Sequence, residues 1–129
     1  MTTGRAKIGT RLAALAICAL FFAYPPARAD DATCDKATNQ NELNACAQDN
    51  YAAADRTLNE TYHSLTARLD AAGKARLISD ERGWIARRDG ECKAEAAQNE
   101  GGSIYPLVYF GCLTEKTKAR TKELQAYPR

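Results

Sequence analysis

Hydrophobic residues beyond position 40 recur at alternating intervals of three and four, which is the spacing of one face of an α-helix. The first stripe consists of Leu43, Ala47, Tyr51, Ala54, Leu58, Tyr62, Leu65 and Leu69. Asn39 precedes it as a candidate N-cap, and Glu42 completes the pattern of a capping box. Gly73 follows the stripe, and glycine is a common C-terminal cap. The pattern therefore predicts one long helix that ends at about Gly73.

Two further helices follow. The second is predicted from Lys74 to Ala97, and the third begins near Tyr105-Pro106, because proline suits the first turn of a helix. The inner face of the second helix is unusually polar and comprises Leu77, Glu81, Trp84, Ile85, Arg88 and Cys92. The third helix carries Leu107, Phe110, Leu113, Thr117, Arg120 and Leu124. No strand-like alternation is visible, so the sequence predicts an all-α fold: an antiparallel helical hairpin with a third packed helix.

The first 29 residues have the composition of a secretory signal peptide. Arg5, Lys7 and Arg11 form a positive segment, an apolar run follows over residues 12–24, and Ala27-Arg28-Ala29 is a small-x-small cleavage pattern. The apolar run is too short to span a bilayer comfortably. We therefore expect cleavage after residue 29, a helical domain of residues 30–129, and no stable membrane insertion after cleavage.

Cleavage also changes the net charge. The whole chain has 18 Lys and Arg against 16 Asp and Glu, which gives +2. The signal peptide takes four basic residues with it and no acidic one, so the mature chain has 14 basic and 16 acidic residues and a charge of −2. A mildly acidic domain has no electrostatic reason to bind nucleic acid or anionic lipid.

The four cysteines of the mature chain are Cys34, Cys46, Cys92 and Cys112. An even number in a small exported domain predicts two disulfides, with three possible connectivities. Cys92 and Cys112 lie equally far from Gly102 in the second predicted turn, which favours their pairing and leaves Cys34 for Cys46. The chain has no C-x-x-C motif and no pair of histidines, so we expect structural bridges and neither a metal nor a cofactor.

Charged residues on the helical stripes suggest a structural ion pair. If the first turn centres near Ala72, Asp55 and Arg88 lie almost level across the hairpin and are predicted to pair. The single histidine, His63, has no nucleophile beside it, and carboxylates at helical spacing are typical of solvated faces. We therefore predict no catalytic residues and no enzyme activity.

Several of these residues form an ordered pattern. The first helix carries N-Q-N-E-L-N-A-C, the second carries W-I-x-x-R-D-x-x-C, and the third section carries G-G-S followed by Cys112, Thr117, Arg120 and Leu124. Together they resemble the N-terminal domain of the family named for the lysozyme inhibitor LprI. The pattern departs from that family at Asn39, where threonine is usual, and at Glu81, where glutamine is usual. The resemblance implies a bacterial periplasmic or secreted protein whose named activity is the inhibition of lysozyme.

The best candidate for contact with a protein partner is the loop that carries Gly101, Gly102, Ser103 and Tyr105. It combines glycine freedom, a hydroxyl group and a flanking aromatic ring at a hairpin tip. A lysozyme cleft presents catalytic carboxylates, which hydroxyl and amide groups of an inhibitor could meet. In the alternative interpretation the glycines only turn the chain. The functional alternative is an envelope interaction or stability domain with another partner and no lysozyme activity.

Overall fold

The computed structural model describes residues 34–128, so the predicted signal peptide lies outside the described residues. A short 3-10 turn, Cys34–Lys36, precedes helix α1 over Gln40–Thr66. Helix α2 spans Ala71–Ala96 and continues into a second 3-10 turn, Ala97–Asn99, and helix α3 spans Tyr105–Gln125. The part of the chain from 34 to 128 contains these helices and no strand, as the sequence predicts. None of its helices is both long and apolar enough to cross a membrane.

The three helices run up, down and up. Asn44 near the start of α1 contacts Ser103 just before α3, while Leu65 and Leu124 share a core cluster at the opposite end. Helices α1 and α3 are therefore parallel, and α2 is antiparallel to both. Helix α3 packs along α1 and, less extensively, along α2, whereas the backbones of α1 and α2 stay apart over most of their length. The third helix thus joins the other two, and a groove remains open between α1 and α2.

The turn between α1 and α2 lies earlier than the sequence predicts. Helix α1 ends at Thr66, and Gly73 belongs to the first turn of α2 instead of capping α1. The carboxylate of Asp70 accepts a hydrogen bond from the Gly73 amide at 2.7 Å, which makes Asp70 the N-cap of α2. Aspartate is among the strongest N-cap residues. Asp70 therefore starts α2 ahead of Gly73, and the glycine lies inside the second helix.

The start of α1 follows the predicted capping pattern. Asn39 accepts a hydrogen bond from the Glu42 amide at 3.1 Å. The Glu42 carboxylate reaches back to Thr38, where it accepts from the backbone amide at 2.7 Å and from the hydroxyl at 3.0 Å. These bonds from Thr38 lower the pKa of Glu42. The chain is therefore held at its entry into the helix by reciprocal bonds.

The core has two apolar parts. One joins the helices at the α1–α2 turn and contains Leu58, Leu65, Leu77 and Leu124. The other surrounds a disulfide and contains Cys92, Cys112 and Leu113, with Tyr51, Tyr109 and Phe110 packed against it. Ile85, which the sequence places on the inner face of α2, is instead 40% exposed. Ile85 is exposed because Trp84 and Arg88 occupy the side of α2 that contacts α3. Ile85 lies beside them on the helix and faces the open groove.

Two disulfides tie the helices together, Cys34–Cys46 and Cys92–Cys112. The second bridge joins α2 to α3 inside the core, where both cysteines are buried. The first joins the 3-10 turn to α1, and both of its cysteines are half-buried. The observed pairing is the one that the sequence favours.

The two bridges should differ in their effect on stability. Replacement of Cys92 and Cys112 by alanine should lower the free energy of unfolding by about 3 kcal/mol, because the unfolded chain regains the entropy of a closed loop. Replacement of Cys34 and Cys46 should cost less, since the released segment also regains freedom in the folded protein. Urea unfolding followed by circular dichroism measures both. Equal losses would contradict this account of the first bridge.

Candidate functional site

Arg88 is a buried cation that contacts all three helices. Its side chain is 8% exposed, and its Nε and Nη2 atoms each lie 2.9 Å from Oδ1 of Asp89. Nη1 donates to the hydroxyl of Thr117 on α3 at 3.3 Å and lies 3.9 Å from Oδ1 of Asp55 on α1. The structure therefore brings together the two residues that the sequence predicts as a pair. The nearer carboxylate, however, belongs to the neighbouring Asp89.

A second cation, Arg120, lies near the ring of Trp84, which Arg88 also contacts. Nε and Nη2 of Arg120 both donate to Oε2 of Glu81 at 2.9 Å, and Nη1 donates to Glu123 at 2.9 Å. Burial favours the neutral form of Arg120, but the bonds to Glu123 and Glu81 outweigh it and raise its pKa. The two guanidinium carbons lie 4.9 Å (Arg88) and 5.7 Å (Arg120) from the ring centre of Trp84. Both distances are within the range of a cation–π contact.

These polar residues border a groove of about 440 Å³ between α1 and α2. Its lining consists of Asp55, Leu58, Asn59, Tyr62, Ile78, Glu81, Arg82, Trp84, Ile85 and Arg88. The volume falls within the usual range for binding clefts. Asp55 stands on the α1 wall and Arg82 on the α2 wall, so the walls carry opposite charges. Sequence reasoning missed this groove; the available signal was Ile78 and Ile85, seven residues apart beside the core stripe of α2.

The loop before α3 lies at the opposite end of the bundle from the α1–α2 turn. Residues 100–104 are all exposed, and Gly101 has a φ of 77°, a conformation that favours glycine. The amide of Gly102 donates to the carbonyl of Asn99 at 2.9 Å, and the amide of Tyr105 donates to the carbonyl of Gly102 at 3.2 Å. These bonds form two consecutive turns, so the exposed backbone of the loop is already shaped.

A side chain from α1 anchors this loop to the bundle. Nδ2 of Asn44 donates to the carbonyl of Ser103 at 2.8 Å, while Oδ1 of Asn44 accepts from Gln40 at 2.9 Å. Gln40 thereby fixes the orientation of the amide that holds the loop. The anchoring bond uses only the backbone carbonyl of Ser103, and the Ser103 side chain is exposed to solvent.

The four predicted loop residues have different surroundings. Gly101, Gly102 and Ser103 are exposed, whereas Tyr105 is half-buried at the start of α3. The ring of Tyr105 stacks on Tyr109 at 5.9 Å between ring centres. Ile104, which lies between Ser103 and Tyr105 in the same loop, is 42% exposed. The face that a partner would meet is therefore a glycine–serine tip bordered by an isoleucine, with the tyrosine as its support.

Metal-ligating side chains do not form a cluster in the described part of the chain. Between residues 34 and 128, no three His, Cys, Asp or Glu side chains come together in a way that could hold a metal ion. His63 is exposed and contacts the ring of Tyr62 edge-on. The arrangement of loop and groove offers surfaces for binding.

Comparison with known proteins identifies relatives along nearly the whole domain. Residues 32–124 match the model of a protein family described as lysozyme inhibitor LprI. The chain is also 37% identical over 130 residues to an uncharacterized protein of Rhizobium meliloti (strain 1021), covering 89% of this chain and 94% of that relative. No solved structure matches the chain.

The Glu81–Arg120 pair should behave as a buried ion pair. Replacement of Arg120 by leucine leaves the 12% exposed carboxylate of Glu81 without its cation and should lower the free energy of unfolding by about 2–3 kcal/mol. Replacement of both residues by leucine should restore stability to within about 1 kcal/mol. Urea unfolding of the single and double variants measures the difference.

A surface pair provides the control. Lys116 and Glu91 are 36% and 58% exposed, so replacement of Lys116 by leucine should change stability by less than about 1 kcal/mol. If the Arg120 variant is no less stable than this control, the interior pair does not contribute as described.

The anchor of the loop can be tested separately. Replacement of Asn44 by alanine removes the bond to Ser103 and should cost about 1 kcal/mol. Amide hydrogen exchange should become faster in residues 100–104 and stay unchanged in the middle of the helices. Replacement of Asn59 by alanine is the control, because Asn59 bonds only to Asp55 of its own helix. Unchanged exchange in the Asn44 variant would show that the loop does not depend on this anchor.

Proposed function

The chain belongs to the lysozyme inhibitor LprI family, and on this premise we propose that it is an exported protein that blocks a lysozyme or related muramidase by non-covalent binding. The observation that carries the proposal is the family match over residues 32–124, which includes α1, α2 and nearly all of α3. The proposed activity therefore belongs to the bundle as a whole.

The disulfides support a location outside the cytoplasm. Bridges of this kind persist in oxidising compartments such as the periplasm and the extracellular medium. Both bridges are formed within the matched region, and the Cys92–Cys112 bridge lies in the core. Together with the signal peptide predicted for residues 1–29, they favour a periplasmic or secreted protein. Lysozyme acts in the same compartments.

We assign the contact with lysozyme to the loop of residues 100–104. Lysozymes cleave glycosidic bonds with a pair of carboxyl groups, so their clefts attract hydrogen-bond donors. Ser103 supplies an exposed hydroxyl, and the exposed glycines of the tip leave the backbone accessible to a partner. The anchor from Asn44 and the turns within the loop fix its shape before binding, which reduces the entropy lost in the complex.

Ile104 supplies the apolar part of the same surface. It is one of three large hydrophobic residues that are prominently exposed in the described chain, at 42%. A few residues near the centre of an interface contribute most of the binding energy, and we assign this role to Ile104. The loop therefore combines an anchor with donors that suit an acidic cleft.

The first experiment is a lysis assay in which the exported, oxidised protein is titrated against lysozymes of several classes. We expect stoichiometric loss of lysis with one class. Absence of inhibition in every class at large excess would favour the alternative, an envelope interaction or stability domain without lysozyme activity. Affinity capture from envelope extracts would then identify its partner.

Loop variants test the assigned contact. Replacement of Ile104 by aspartate should weaken inhibition at least about tenfold, since it brings a negative charge to a carboxylate-lined cleft. Replacement of Ser103 by alanine together with Tyr105 by phenylalanine removes two hydroxyl groups and keeps the stacked ring, and it should also weaken inhibition. Replacement of Ile85 by aspartate is the matched control, because Ile85 is 40% exposed on a different surface. Inhibition that withstands both loop changes would place the contact elsewhere.

A further inference from the structure

The groove between α1 and α2 is lined by exposed hydrophobic side chains. The large ones in residues 34–128 are Ile78, Ile85 and Ile104, at 39%, 40% and 42% exposure. Two of them, Ile78 and Ile85, lie two turns apart on the same side of α2 and line the groove together with Leu58 and Tyr62 of α1. Single exposed apolar residues are ordinary, but exposed apolar residues grouped along one groove are typical of an interaction surface.

Charged residues extend this row at both ends. Lys74 lies four residues before Ile78, and Asp89 lies four residues after Ile85. Both are accessible: Lys74 is exposed, and the side chain of Asp89 is 40% exposed. The bonds from Arg88 to Asp89 end on Oδ1, which leaves Oδ2 for another cation. Along one side of α2, the row therefore has a positive residue, two apolar residues and a negative residue in that order.

This order is complementary to itself when it is reversed. A second α2 helix laid antiparallel against the first, with its centre between positions 81 and 82, places Ile78 opposite Ile85 at both ends of the apolar pair. The same alignment places Lys74 opposite Asp89, again twice. A pattern that matches its own reverse is what a two-fold symmetric contact requires.

The middle of the row fits the same arrangement. Arg82 lies at the centre of the alignment on the α2 wall, and no carboxylate of the described residues forms a salt bridge with it. Asp55 lies as far before the α1–α2 turn as Arg82 lies after it, so the two are level across the groove, and the Asp55 side chain is 41% exposed. A two-fold axis at this point would bring the two Arg82 side chains close to the two Asp55 carboxylates, which Arg88 approaches at 3.9 Å within each copy.

We propose that the occupant of the groove is a second copy of this chain, whose α2 packs antiparallel against α2 and covers the space between α1 and α2. The contact buries Ile78 and Ile85 of both copies and forms two Lys74–Asp89 pairs between them. Because the contact is two-fold symmetric, it closes on itself and forms a dimer, and it cannot extend into a filament. The loop of residues 100–104 is not part of this contact, so the proposal does not depend on lysozyme inhibition.

Charge reversal gives a sharp test. Sedimentation velocity of the exported, oxidised protein should show a reversible monomer–dimer equilibrium between micromolar and millimolar concentration. The variants Lys74→Glu and Asp89→Lys should each be monomeric, because each homodimer would contain two like-charged contacts. An equimolar mixture of the two should dimerise again, since both contacts then join opposite charges. Circular dichroism establishes that each variant is folded.

A second comparison keeps the test decisive if the Asp89 variant does not fold without its bond to Arg88. Ile85→Asp should raise the dimer dissociation constant at least about tenfold, whereas Ile104→Asp, which changes an equally exposed isoleucine outside the groove, should leave it unchanged. The proposal is overturned if the protein stays monomeric at millimolar concentration, or if both isoleucine variants have the same effect. It is also overturned if two folded charge-reversal variants fail to associate when mixed. The lysis assay is read separately, so loss of inhibition with intact dimerisation concerns only the proposed function.

Discussion

The arrangement of the three helices depends on the contacts of one buried guanidinium group. Arg88 on α2 donates to Thr117 on α3, approaches Asp55 on α1 and lies over the rings of Tyr51 and Trp84. A buried charge is costly unless hydrogen bonds and an opposite charge accompany it. In residues 34–128 every buried side-chain nitrogen and oxygen has a hydrogen-bond partner. The desolvation cost of Arg88 is fully offset only when α1 and α3 supply their partners to it. The interior therefore specifies the relative positions of the helices more narrowly than leucine packing alone.

Threonines on α3 allow this polar interior to form. Thr114, Thr117 and Thr121 are buried along one side of the helix, and the hydroxyls of Thr114 and Thr121 donate to carbonyls one turn earlier. The third, Thr117, instead accepts from Arg88. All three hydroxyl groups therefore have hydrogen-bond partners inside the bundle. Because the side chains are small, α3 can lie close to α1. Helix α2 is held at a greater distance by the larger side chains of Trp84 and Arg88, and the groove is the result.

The sequence predicts the helices well because their spacing is set by local geometry. The stripe from Leu43 to Leu65 identifies α1, and the equal distances of Cys92 and Cys112 from the turn identify the bridge between α2 and α3. The sequence predicts the end of α1 too late because Gly73 suggests a cap, whereas Asp70 accepts a hydrogen bond from the Gly73 amide and α2 begins at Ala71. The groove could not be read from periodicity, since a stripe shows which face of a helix is buried but not how far two helices stand apart. The preference of Arg88 for Asp89 likewise depends on a side-chain orientation that spacing leaves undetermined.

The position of Trp84 has a consequence for how the molecule can be observed. It is the single tryptophan of the chain and belongs to the lining of the groove, and two guanidinium groups lie close to its ring. Tyr105 and Tyr109 stack at the other end of α3, beside the loop. The groove therefore carries a chromophore that the loop lacks. Tryptophan emission follows events in the groove without a label, because the loop contains no tryptophan.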